Sequence, residues 1–239
     1  VANELTKYKQ TDLGFLAGKR QELEERIANR DQAGFLKLGE GDTVLRFLPA
    51  KNGRPLQEVW VHRFPNLDPS SKKPGPKIAC LAKNFTQPCP ICKRVQELRE
   101  TKSPADDEAA KQLSAKQRIY AVVVNMNKPD DGVRLYEFGE TVYRPLLAYL
   151  DPKSGGVDIF DPTKGYNVII NRVGTGQQNT KYTVRIPPGA QPCPIANMSW
   201  LEHAPNLVDF MKMPPAEKIA ALLEGRDTSA DFNPSELGE

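Results

Sequence analysis

The chain has two histidines, two tryptophans and four cysteines in 239 residues, and each scarcity narrows its chemistry. With so few histidines, acid–base catalysis has little to work with. No Asp/Glu/His grouping resembles a two-metal nuclease. No GxxxxGK[ST] phosphate loop occurs, and GTGQQN (174–179) lacks the strand–helix context that a dinucleotide loop needs. These absences argue against an enzyme. No run of about 18 apolar residues exists, so no membrane-spanning helix is expected. The first thirty residues lack the apolar stretch of an export signal. Four cysteines without such a signal fit a reducing compartment better than a disulfide framework. No internal repeat is evident.

What is present is unevenly placed. Twenty-one prolines and seventeen glycines favour short strands and turns over long bundles. A composition 39% apolar and 26% charged is ordinary for a globular domain, and the length allows a core that needs no staples. The net charge of +3 conceals a split. From Thr43 to Arg94, ten Lys/Arg face only Glu58 and Asp68, a net of +8. From Glu202 to Glu239, eight Asp/Glu face Lys212, Lys218 and Arg226, a net of −5. A basic body with an acidic end points to a polyanionic partner, with the end competing for the same surface.

Residues 1–11 read as a polar arm. Thr11 or Asp12 caps an expected helix to about Arg30, with Leu13, Leu16, Leu23 and Ile27 at roughly helical spacing. FLKLGEGDTVLRFLP predicts strand, turn, strand, and PLQEVWVHRF another strand. Pro65 to Lys77 is a loop by composition. KRVQELRETK and SPADDEAAKQLSAKQ predict helices. RIYAVVVNMN, VRLYEFG, VDIF, YNVIINRVG and TKYTVRIP predict strands, with TVYRPLLAYL a short helix among them. About Pro205 to Gly225 is expected to be helical. The fold class is therefore mainly β with helical decorations, an OB-fold-like barrel of five to six strands. Expected units are 1–34 as arm and helix, 35–200 as the barrel core with a metal-bearing and helical insertion at 62–117, and 201–239 as a C-terminal helix with a short acidic tail.

Three of the four cysteines lie in CLAKNFTQPCPIC (80–92). Cys89-x-x-Cys92 can turn two thiolates to one ion, and Cys80 adds a third. A closed Zn²⁺ site needs four ligands. The fourth comes from His62, His203 or Cys193. His62 is preferred, because only the intervening loop must fold back. The competing reading is free or disulfide-paired thiols. A four-ligand site leaves no position for hydrolytic water. Cys193 in QPCPIAN lacks a companion cysteine, and His203 reads as a helix-end residue.

Along the expected strands, bases and rings interleave: Arg118 with Tyr120, Arg134 with Tyr136 and Phe138, Tyr143 with Arg144, then Tyr166, Arg172, Lys181 and Tyr182. Residues two apart on a strand share a face. Cations beside rings suit a single strand of nucleic acid, which needs phosphate neutralisation and stacking partners for unpaired bases.

The order of features resembles the T4-type phage helix-destabilising proteins, a family of single-stranded DNA-binding proteins. The matching stretches are GDTVLRFLPAKNG (41–53), VHRF with His62, the cysteine cluster, RIYAVVVNMNKPDDGVRLYEFG (118–139) and GGVDIFDPTKGYNVIINRVGTGQQNTKYTV (155–184). The resemblance implies an OB-fold with a zinc-bearing subdomain, zinc held by His62, Cys80, Cys89 and Cys92, and DNA in a basic cleft between the two parts. It places Arg46, Arg118, Tyr136 and Phe138 near that cleft. The candidate DNA contacts are then Arg46, Arg63, Lys83, Arg94, Lys116, Arg118, Tyr120, Arg134, Tyr136, Phe138, Arg144, Tyr166, Arg172, Lys181 and Tyr182. Implied partners are single-stranded DNA, further copies of the chain through the N-terminal segment, and replication or recombination proteins through the acidic end, with no membrane. The implied place of action is the cytoplasm of an infected bacterial host. The arm carries Lys7 and Lys9 beside Thr6 and Thr11 but no compact Lys-Arg-Lys-Ser-Thr block. The alternative class is a zinc-stiffened protein-interaction adaptor that ignores nucleic acid.

Overall fold

A computed structural model describes residues 34–64, 77–151, 153, 155–207 and 213–225, with backbone alone at 177, 178, 216 and 217. The expected N-terminal helix, most of the 65–77 loop, residues 208–212 of the expected C-terminal helix and the acidic tail from 226 lie outside the described residues.

Seven strands form one antiparallel sheet: β1 (Gly41–Phe47), β2 (Leu56–Arg63), β3 (Lys77–Ala79), β4 (Lys116–Asn125), β5 (Val133–Phe138), β6 (Asn167–Val173) and β7 (Lys181–Arg185). The order is β3-β2-β4-β1-β6-β7, and β5 pairs with the opposite edge of β4. β4 is the spine. Its outer edge takes β5 from Ile119↔Phe138 to Val124↔Val133. Its inner edge is shared, with β2 along Lys116–Ala121 and β1 along Val123–Asn125. The chain passes from β1 to β2 through a tight turn at Ala50–Gly53, closed by Gly53 N–H donating to the Ala50 carbonyl and requiring φ +71° at the glycine.

β4 reads as IYAVVV without alternation because both of its faces are covered. On one face Ile119, Ala121 and Val123 meet Leu45, Phe47, Tyr136, Phe138, Val168, Ile170 and Val184. On the other, Tyr120, Val122 and Val124 meet Val59, Val61, Val133, Leu135, Ile195 and Leu207. The helices are α1 (Leu81–Phe85), α2 (Pro90–Glu100), α3 (Pro104–Leu113), α4 (Glu140–Leu150), α5 (Gly176–Asn179), α6 (Ser199–Glu202) and α7 (Ala216–Leu223), with a 3₁₀ turn at Pro129–Asp131. α4 presents Val142 and Leu146, one turn apart, to the first core and packs on β4, β5 and β7.

The expected fold class, mainly β with helices, is met, without the closed barrel. The sheet is antiparallel, but it has seven strands, and among the described residues no ladder joins β7 back to β5 or β3. α4 instead packs against both β7 and β5. Two expected strands are also corrected. Phe35 makes one parallel bridge to Leu135 in place of a full strand. VDIF (157–160) forms turns, because Asp158 accepts from the Phe160 N–H and Asp161 accepts from Thr163 and Lys164, which diverts the backbone from any ladder. Ile159 and Phe160 still plug the first core.

Arg46 organises that turn. It is 1% exposed, and its guanidinium donates to the carbonyls of Phe47, Ile159, Asp161 and Cys193. Burial lowers its pKa, against the raising influence of Cys193, Asp161 and Asp158.

Candidate metal centre and basic face

Strand alternation puts Trp60 and His62 on the face of β2 opposite Val59 and Val61. β3 then pairs with β2 in the register His62↔Ile78, which brings Cys80, just past the end of β3, back beside Trp60. Cys80 N–H donates to the Trp60 carbonyl at 2.8 Å. Cys80 is the N-cap of α1, and Cys89 is the N-cap of α2 with Pro90 at its first position. Cys92 lies in the first turn of α2. Two helix starts therefore direct backbone N–H groups toward sulfur, where thiolate charge is favoured.

The imidazole Nε2 of His62 and the three Sγ atoms lie within 4.8 Å of one another. Cys80 and Cys92 sulfurs are 3.5 Å apart, and His62 Nε2 is 3.5 Å from Cys89 and 3.6 Å from Cys92. A disulfide would need about 2.05 Å between sulfurs, so the cysteines are free thiols. An ion with bonds of about 2.3 Å to sulfur and about 2.0 Å to nitrogen, in a tetrahedron, needs donors roughly 3.5–3.8 Å apart. The donor set fits.

The second layer fits as well. His62 is fully buried, and its Nδ1 lies 2.7 Å from the Leu113 carbonyl at the end of α3. A carbonyl only accepts, so Nδ1 carries a proton, and Nε2 is the ring nitrogen turned to the sulfurs. For Cys89, burial pushes the thiol up, but the His62 hydrogen bond and the Cys92 and Leu81 N–H groups outweigh it and bring the pKa down to about 6. Cys92 is pushed up to about 12 by burial, then by its hydrogen bond and charge interaction with Cys80. The three thiols and the imidazole together form a cluster that could hold a metal ion.

Phe64, Ile78, Leu81 and Ile91 floor the site together with Ile219 and Leu222 of α7. The asparagine clamp went unread in the sequence. Asn84 accepts from the Trp60 N–H and donates to the Trp60 and Cys80 carbonyls, tying α1 to β2. Nothing in KNF signals this, because the partners come from a strand 24 residues away. His203 and Cys193, the other candidate fourth ligands, are not in the cluster. His203 caps α6, its Nδ1 donating to the Ser199 carbonyl.

The expected DNA contacts divide sharply. Cross-strand partners share a face, so Val61↔Lys116, Val59↔Arg118 and Arg63↔Lys77 put Arg63, Lys77, Lys116 and Arg118 on one side of the sheet. Tyr120↔Glu137 is on the same side. Lys77 Nζ reaches both Glu137 oxygens, at 2.8 and 2.6 Å, and Arg118 Nε lies 3.4 Å from one of them. Lys77 and Glu137 were not among the expected site residues, although Lys77 lies in the +8 stretch. On the other face Lys83 Nζ sits 3.5 Å over the Trp60 ring.

Arg46, Tyr120, Tyr136 and Phe138 are corrected. Arg46 holds carbonyls. Tyr120 is 1% exposed, and Tyr136 and Phe138, stacked with centroids 5.0 Å apart, are core residues. A buried ring has no free face for a base. Burial first, then the Tyr182 phenol, raises the Tyr136 pKa. Of the others, Arg94 pairs with Glu97 and Arg144 with Glu140, both in solvent. Arg172 lies opposite a half-buried Tyr182, next to an exposed Lys181. Arg134 and Tyr166 are half-buried. The structure therefore brings Arg63, Lys116 and Arg118 together, sets Arg172, Lys181 and Tyr182 apart on β6–β7, and leaves Lys83 and Arg94 on the metal module.

A seven-stranded antiparallel sheet, a His-Cys₃ module hung on one strand and a cluster of cations beside it define a metal-ready β-domain with a basic face. Residues 39–224 match the family model described as gp32 DNA binding protein like, and the chain belongs to that family of DNA-binding proteins. The match extends past the stretch legible by motif and takes in α7, the helix that floors the metal site. No curated protein matches the chain.

Proposed function

We propose that the protein binds single-stranded DNA without sequence preference, coating unpaired strands and shielding them during phage DNA replication, recombination and repair. The observation that carries this reading is the DNA-binding family match across 39–224, which encloses both the sheet and the metal donors. No catalytic step is involved. The sheet is read as an OB-type barrel whose gap is stopped by α4.

Zn²⁺ is the ion we assign to His62, Cys80, Cys89 and Cys92, because three thiolates and one imidazole in a closed tetrahedron suit it. When bound, the ion supplies a fixed crosslink with no open position. His62 is oriented by Leu113, and Asn84 holds the α1 turn against β2. Phosphates run along Arg63, Lys116 and Arg118. Half-exposed rings, Tyr166 and Tyr182, offer stacking faces worth about 1–3 kcal/mol per base. Binding melted strands and not duplex lowers the free energy of the melted state by mass action. The N-terminal segment mediates self-association along DNA, and the acidic end recruits replication or recombination proteins, in the cytoplasm of an infected bacterium.

A fluorescence titration with oligothymidylate and a duplex of equal length tests this. Tight, salt-sensitive binding to the single strand alone is expected. Indifference to both would favour the adaptor class.

A further inference from the structure

Four cations of the basic face, Arg63, Lys77, Lys116 and Arg118, share one side of the sheet. Glu137 enters this group from β5. Its carboxylate takes Lys77 on both oxygens and Arg118 on one. The Glu137 and Lys77 side chains are about one-fifth exposed and Arg118 about one-third, so the pair is sheltered but not sealed. Burial, and next to it the charges of Arg63 and Arg118, work against a charged Lys77, while Glu137 supports it. Tyr120, opposite Glu137 in the ladder, also hydrogen-bonds the carboxylate.

A carboxylate bridging two cations does what a phosphodiester does, presenting two anionic oxygens to a fork of donors. We infer that Glu137 is a built-in competitor for the DNA phosphate, holding Lys77 and Arg118 in the free protein and yielding at least one of them when a strand binds. This rests on the single-strand reading above. The consequence is a moderated affinity. Cations already paired release fewer counterions on binding, and part of the phosphate's attraction is used to break an internal pair. The same carboxylate keeps three neighbouring cations from repelling one another, so the residue sets both the shape and the strength of the site.

The test is anisotropy of a labelled oligothymidylate, titrated at stepped NaCl with wild type, Glu137→Gln, Lys77→Gln and the double variant. Glu137→Gln keeps an oxygen for Lys77 and removes the charge. It is expected to bind about fivefold tighter at low salt, with a log–log salt slope steeper by about 0.7. Lys77→Gln is expected to weaken binding, and the gain from Glu137→Gln to shrink in its presence. Glu137→Asp, which keeps the charge but shortens its reach, is the second variant if the amide unfolds the chain, and is expected to fall between. Wild-type binding with equal or weaker binding by Glu137→Gln would overturn the competitor role alone. No binding by wild type would remove the single-strand reading and this role with it.

Discussion

Replacing Arg46 by Met separates two readings of the same residue. The family resemblance puts Arg46 at the DNA. Its side chain instead serves four carbonyls, two of them, on Phe47 and Ile159, belonging to fully buried residues. Methionine fills the volume but donates nothing. Each buried carbonyl left without a donor costs about 1–3 kcal/mol, while Cys193 and Asp161, half-exposed, can recruit water. Releasing the buried charge returns part of the loss. The net is about 3–4 kcal/mol, which lowers Tm by roughly 10 °C for a domain of this size. The assay is thermal unfolding, paired with oligothymidylate titration well below the transition. The salt slope of the folded variant should match wild type. A Tm within about 2 °C of wild type, together with a slope reduced by about 0.7, would refute the carbonyl clasp and return Arg46 to the DNA.

Other outcomes follow from the same geometry. Gly165→Ala should mimic the Arg46 variant, because a Cβ there would lie 2.5 Å from the Asp161 carbonyl and 2.6–2.7 Å from the guanidinium; an overpacking cost of about 1–3 kcal/mol is expected in thermal melts. Tyr136→Ala should lose about 3–5 kcal/mol of stability as a core truncation, with near-normal DNA affinity in the folded fraction; a stable variant with weakened binding would restore its stacking role. Purified protein should carry stoichiometric metal, and His62→Ala should lose it, as measured by elemental analysis. Three thiolates must stay deprotonated to hold the ion, so protons compete and metal should leave as pH falls; retention of metal by His62→Ala would exclude the imidazole as a ligand.

Much of this protein was settled by local sequence. The Cys89-x-x-Cys92 turn, the helices from Pro90, Pro104 and Glu140, and strands β1, β2, β4, β5, β6 and β7 follow from spacing, capping and apolar runs, which act over a few residues. So does the metal donor set, because histidine and cysteine are so scarce that few combinations exist. Tertiary structure alone decided which side chains face solvent. Tyr120, Tyr136 and Phe138 alternate along their strands like surface rings, yet both faces of β4 are covered by elements from far along the chain. Arg46 reads as one more cation in a basic stretch until the 157–166 turn closes over it. Glu137 reads as one acid among many until β3 brings Lys77 alongside. Alternation tells which residues share a side of a sheet, but whether that side is buried depends on what packs against it, and those contacts are made across the whole chain.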